Sequence, residues 1–111
     1  MGVIQHHAIL VTSWNIEKLE VVLAKAVEIG CHTTPIVEGR VNVVGTFVVT
    51  PDGSKEYWSE SYEGDAERAA LVQFIDTLAY EDGSNSIKYV EISYGELGVS
   101  IGATNVKDTS A

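Results

Sequence analysis

The sequence predicts an α+β domain of the ferredoxin-like kind, β-α-β-β-α-β with an extra strand at the C-terminal end. Three observations predict it. Two segments carry apolar residues at helical spacing, around 16–27 and 71–78. β-branched runs lie before, between and after them. The 111 residues suit one domain, since domains commonly run to roughly 100–150. Residues 1–102 are expected to form that domain and 103–111 a flexible polar tail without periodicity.

Val3–Thr12 reads as the first strand, with aliphatic residues on both of its alternating faces, as a central strand needs. Ser13 or Asn15 can cap the first helix, in which Ile16, Leu19, Leu23, Ala26 and Val27 recur at helical spacing and Gly30 supplies the left-handed stop. Thr33–Glu38 and Val41–Thr50 read as two strands joined by a short turn at Gly39-Arg40. Pro51-Asp52-Gly53 ends the second of them. Ser54–Gly64 matches neither period and reads as an ordered loop with three aromatics and three acids. Asp65 is the expected cap of a second helix over Ala66–Tyr80, with Leu71, Phe74, Ile75 and Leu78 as its buried stripe. Ile87–Tyr94 follows as a strand, then a turn at Gly95-Glu96 and a short strand Leu97–Ile101. In this topology both helices fall on one sheet face, and the other face is left for solvent or a partner.

Composition narrows the function classes. Apolar residues make up 45% and charged residues 21%, ordinary for a globular protein. No stretch approaches the ~18 apolar residues of a membrane span. The first residues lack the basic start and small-residue cleavage site of a secretory signal. The single cysteine, Cys31, cannot form an internal disulfide, which fits a cytoplasmic location, and it reads as a half-buried, inert thiol. A net charge of −9 repels nucleic-acid backbones and anionic membranes and attracts basic protein surfaces, or else serves solubility alone.

No enzyme motif stands out. His6 and His7 are adjacent on a strand and point to opposite faces, so they cannot chelate one ion together. Cys31-His32 has no zinc-ligand spacing, so neither a metal nor a cofactor is expected. No nucleophile elbow, Walker loop or dinucleotide fingerprint appears. The segment 55–64 is the strongest candidate for function. Tyr57, Trp58 and Tyr62 are large amphipathic groups of the kind enriched at contact surfaces, and Lys55 and Arg68 are among the few cations. The alternative is that Trp58 and one tyrosine fold back over the core. From Glu56 to Asp82 there are eight acids against one base, Arg68. That block reads either as a solvated face or as a surface for a basic partner.

Three stretches, His-His-Ala-Ile-Leu-Val-Thr-Ser-Trp (6–14), Phe-Val-Val-Thr-Pro-Asp-Gly-Ser-Lys-Glu-Tyr-Trp (47–58) and Tyr-Val-Glu-Ile-Ser-Tyr-Gly-Glu (89–96), are together similar to small uncharacterised proteins of tailed bacteriophages and prophages. The resemblance spans most of residues 6–96. No catalytic or ligand motif defines that group, so what it implies is a phage accessory role, such as blocking host defence, and no particular chemistry.

The functional expectation is a non-enzymatic acidic binding protein. Its partner would be a host protein with a basic surface, engaged through Glu56, Glu60, Glu63 and the aromatics. Alternatively it would be a nucleotide-like ligand held by Lys55, Tyr57, Trp58, Tyr62 and Arg68. The alternatives are a small enzyme with His6 or His7 as base on the open sheet face, and a structural or assembly subunit. Homo-oligomers fit several of these.

Overall fold

The computed structural model describes residues 3–107. The elements follow as β1 (Gln5–Ser13), α1 (Ile16–Ile29), β2 (Val37–Glu38), β3 (Gly45–Val49), α2 (Ser59–Asp76), β4 (Ile87–Gly95) and β5 (Gly98–Thr104). They build an α+β domain with one open, antiparallel five-stranded sheet in the order β2-β3-β1-β4-β5. This is not the usual ferredoxin-like order. β5 extends the sheet beyond β4, so β4 is an interior strand, and β2 has shrunk to two residues at the opposite edge.

The register fixes the two faces. Ile9 sits opposite Val49, Val11 opposite both Phe47 and Tyr89, and Ser13 opposite Ile87. Paired residues share a face. Apart from Ser13, those side chains join Leu19, Val22 and Ala26 of α1 and Leu71 and Ile75 of α2 in one buried cluster. Both helices therefore cover the same side of the sheet. Burial of each such Leu, Ile or Phe is worth about 1.5–3 kcal/mol.

α1 forms as its sequence dictates. Asn15 caps it by accepting from the Lys18 amide, and Gly30 ends it at φ 113, with its N–H reaching the carbonyls of Ala26 and Val27. The buried stripe is rotated from the expected one: Val22 is inside, whereas Val27 is exposed.

The segment between α1 and β3 departs most from expectation. Thr33 makes only an isolated bridge to Val49, and Thr34 donates its amide to the Val48 carbonyl. Pro35 offers no N–H, which interrupts regular pairing there. Residues 39–44 then form the connection, closed by the Gly39 amide on the Val44 carbonyl at 2.7 Å. Asn42 takes φ 66, a conformation asparagine tolerates better than most residues. Val41 and Val43, expected in a strand, are exposed in that loop.

α2 begins at Ser59, seven residues before the expected start, and ends at Asp76 instead of Tyr80. Its first cap is Trp58, which supplies no side-chain hydrogen bond, and Asp65 lies inside the helix. At the C-terminal end the sheet continues past residue 102. β5 runs to Thr104, and Asn105 donates to the Ile87 carbonyl and accepts from the Tyr89 amide. The two-residue turn is Glu96-Leu97, between the paired Gly95 and Gly98. Of the expected tail, residues 108–111 lie outside the described residues. Among the described residues no helix is long and apolar enough to cross a membrane.

Candidate functional site

α2 is longer than its apolar stripe because its buried face is Ser61, Gly64, Arg68, Leu71 and Ile75. The spacing is helical throughout, yet only the last two are hydrophobic. Gly64 lets the Asp52 and Arg68 side chains close in on that face. A Cβ there would stand 2.9 Å from Asp52 Oδ2 and 3.1 Å from Arg68 Nη1. The N-terminal half of α2 thus packs polar groups, and two clefts open beside it.

The first cleft, about 410 Å3, lies where the end of α1, the β3–α2 connection and the start of α2 meet. Trp58 walls it, and Asp52, Glu60, Glu63 and Glu67 supply its charge, with His32 at its edge. No lysine or arginine lines it. Burial alone would raise the Asp52 pKa. Hydrogen bonds from the Ser54 hydroxyl and amide, together with the nearby Arg68 charge, outweigh that and hold it below the ordinary value. The cleft is therefore anionic at neutral pH. Among the described residues no three His, Cys, Asp or Glu side chains group to hold a metal ion, so these acids are spread along the walls.

The second cleft, about 550 Å3, lies on the helix side of the sheet, where β4 and β5 run out past α2. Its walls include His7, Arg68, Gln73, Glu91, Ser93 and Ser100. Five strands are more than two helices can cover, which leaves this step open. Arg68 is 6% exposed. Its Nη2 donates to Asp65, its Nε lies 3.5 Å from Glu91 Oε2, and that Nε makes no hydrogen bond. His7 Nε2 is 2.7 Å from Glu56 Oε1. The contact orients the imidazole at the wall of this cleft.

The residues expected to form one site are divided between these places. Trp58 and Glu60 line the acidic cleft. Glu56 pairs with His7 instead, and Arg68 is buried between Asp65 and Glu91. Lys55 holds its ammonium 5.9 Å from the Trp58 ring centroid. Tyr57, Trp58 and Tyr62 are 71%, 46% and 57% exposed, so none of them folds into the core. Tyr57 takes φ 73, a left-handed conformation that is strained for a bulky residue. Glu60 and Tyr62 stand on helix rather than in a loop.

His6 stands on the opposite, open face, 5.2 Å from the Tyr94 ring. The histidine that meets a second polar group is thus His7, on the helix side and not on the open face. Cys31 is half-buried as expected. Burial and the Glu67 charge push its thiol pKa up against the opposing effect of Arg68, which keeps it protonated and unreactive. Sequence reasoning missed Asp52, Glu67 and Glu91 as site residues. Only their acidity was visible, and acids are plentiful in this chain.

Comparison with known proteins finds no family model, no curated protein and no solved structure that matches the chain.

Proposed function

We propose that this is a non-enzymatic binding protein whose acidic cleft, walled by Trp58, takes a cationic side chain of a basic protein partner. One observation carries the proposal: an exposed indole stands in a cleft whose charged lining is Asp52, Glu60, Glu63 and Glu67. An aromatic face attracts ammonium or guanidinium groups, and carboxylates beside it add ion pairs. Lys55, already within cation–π distance of the same ring, is an internal example of that affinity. Tyr57 and Tyr62, exposed nearby in sequence, add amphipathic area of the kind that anchors interfaces. The same geometry disfavours a nucleotide-like ligand, because four carboxylates repel phosphate and Arg68 is already neutralised. A phage accessory role, with a host protein as the partner, rests on the sequence resemblance. The strands β2-β3-β1-β4 with two helices on one face are read here as a split βαβ core that β5 extends.

The test uses a Trp14→Phe variant, in which Trp58 is the only indole, titrated with an arginine-rich peptide. Saturable change in Trp58 emission that weakens with salt supports the proposal, as does its loss in Glu63→Lys/Glu67→Lys. An equal response to an acidic peptide or to a nucleoside triphosphate counts against it.

One observation favours a second reading, a small enzyme with His7 as base: the 2.7 Å contact with Glu56 at the wall of the larger cleft. Turnover of an activated ester such as p-nitrophenyl acetate that disappears in His7→Gln supports it. Identical rates in the two proteins remove it.

A further inference from the structure

The face of the sheet turned away from the helices is mostly apolar, with His6, Thr12, Thr46, Lys88 and Thr104 as its polar members. Register places Leu10 between Val48 and Val90, Ala8 beside Ile92, Ile92 beside Ile101, Tyr94 beside Val99, and Val37 beside Thr46. Val99 and Ile101 are 83% and 68% exposed, and Leu10, Val37 and Tyr94 are exposed with them. The chain has sixteen acids, yet the residues that β1, β3, β4 and β5 turn to this face include no carboxylate, and Glu38 reaches only its β2 edge, beside Val37, Thr46 and Val48. The charged side chain that those four strands turn to it is Lys88, opposite Thr12. Contiguous apolar surface of this kind marks an interaction site.

We infer that this face is the interface of a homodimer, in which two copies pack sheet against sheet with the helices outside. Three considerations select a second copy. The first is charge. A basic partner gains little from a face whose one acid, Glu38, stands at the edge, and is drawn to the helix side, whereas face-to-face packing puts the acidic helix layers of two −9 chains on opposite outer surfaces. The second is area. Five strands at about 4.8 Å spacing and about 20 Å of paired length give roughly 500 Å2 in projection. The relief of the side chains brings that close to the ~800 Å2 per partner of a standard interface. The third is shape. A surface of Val, Ile, Leu and Thr on a twisted sheet is complementary to a second such surface packed about 10 Å away. A two-fold contact of this kind uses the same residues on both copies, so each substitution counts twice.

Sedimentation velocity on the full chain reads this directly. The expected result is a species of twice the 12.0 kDa chain mass across the micromolar range. Ile101→Glu, and separately Val99→Lys, is expected to raise the dissociation constant at least ~100-fold and halve the mass. Both residues are exposed, so the circular dichroism spectrum is expected to stay unchanged. Val27→Glu, an equally apolar position exposed on α1, is expected to leave the dimer intact. A wild-type monomer throughout overturns the inference. So does a dimer that survives both face variants, or a monomer that instead floats with neutral lipid vesicles.

Discussion

His7 Nε2 and Glu56 Oε1 lie 2.7 Å apart, which ties the segment before α2 to the middle of β1. The Glu56 amide adds a second tie, a 2.8 Å hydrogen bond to the Val3 carbonyl. Together they position Tyr57 and Trp58 at the start of the helix. Glu56→Ala is expected to cost about 1 kcal/mol, the typical worth of one such bond at a partly exposed site. Urea denaturation measures the loss. Trp58 emission in a Trp14→Phe background is expected to shift at the same time, because the indole loses its anchor.

Arg68 is the buried charge on which the N-terminal half of α2 depends. Arg68→Ala leaves Asp65 and Glu91 without their cation and opens space beside Gly64. The expected loss is about 1–2 kcal/mol, because the charge removed is the buried one and the carboxylates left behind are partly solvated. Arg68→Lys is expected to recover little, since an ammonium cannot reach both carboxylates with a planar fork. Equilibrium denaturation of both variants checks the comparison.

Gly45 is a packing position under α1. A Cβ there would stand 2.7 Å from Ile16 Cδ1, 2.9 Å from Ile36 Cγ2 and 3.0 Å from Leu19 Cδ2. Gly45→Val is expected to destabilise by about 1–3 kcal/mol through overpacking, although valine favours strands. A lower melting temperature in calorimetry is the readout.

Asn85 is buried, with Nδ2 donating to the Ile75 carbonyl at 2.8 Å and Oδ1 accepting the Ile87 amide at 2.9 Å. It thereby joins the end of α2 to the start of β4. Asn85→Ala strands both backbone groups inside the protein, and the expected cost is about 2–3 kcal/mol. Hydrogen exchange at the Ile87 amide is expected to accelerate.

Tyr89 is buried, and its hydroxyl donates to Asp76 Oδ1 at 3.0 Å. Burial first, then the Asp76 hydrogen bond and the Asp76 and Glu91 charges, push its pKa up to about 12. The folded state thus holds this proton more tightly than the unfolded chain, whose tyrosine ionises near 10. The stability it contributes is complete below about pH 10 and is lost as the pH rises toward 12. Ultraviolet titration of phenolate is expected to show a late-ionising step from Tyr89. In Tyr89→Phe that late step disappears, and the alkaline fall in stability becomes shallower.

Much of the fold was legible because local chemistry agreed with the final structure. Asn15 and Gly30 bracket α1 as caps of their types do, and the β-branched runs of β1 and β4 became the two longest strands. What was hidden follows one physical pattern. The first half of α2 keeps helical spacing, but Ser61, Gly64 and Arg68 occupy the positions where hydrophobicity is looked for. Their burial depends on Asp52, Asp65 and Glu91, two of which come from other elements, and no local period reveals that. β2 was overestimated because Pro35 interrupts the pairing of Thr33–Glu38, and β3 because Val41 and Val43 look strand-like but lie in the turn at Asn42.

The candidate site was half legible for the same reason. Tyr57, Trp58 and Tyr62 stood out as aromatics in a polar segment, and they are exposed. Their companions were not visible, because Asp52 and Glu67 meet Trp58 only when the β3–α2 connection folds against the helix. Arg68 was grouped with the aromatics by sequence proximity, but the helix turns it inward.

The proposal that a basic partner docks at the Trp58 cleft is tested most directly by amide chemical-shift mapping. The isotope-labelled protein would be titrated with an arginine-rich peptide. The expected result is a set of saturable shifts at His32, residues 52–54 and residues 58–67, with the sheet residues at Leu10, Ile92 and Ile101 unmoved. Shifts centred on those sheet residues, or none along the cleft at low salt, would contradict it.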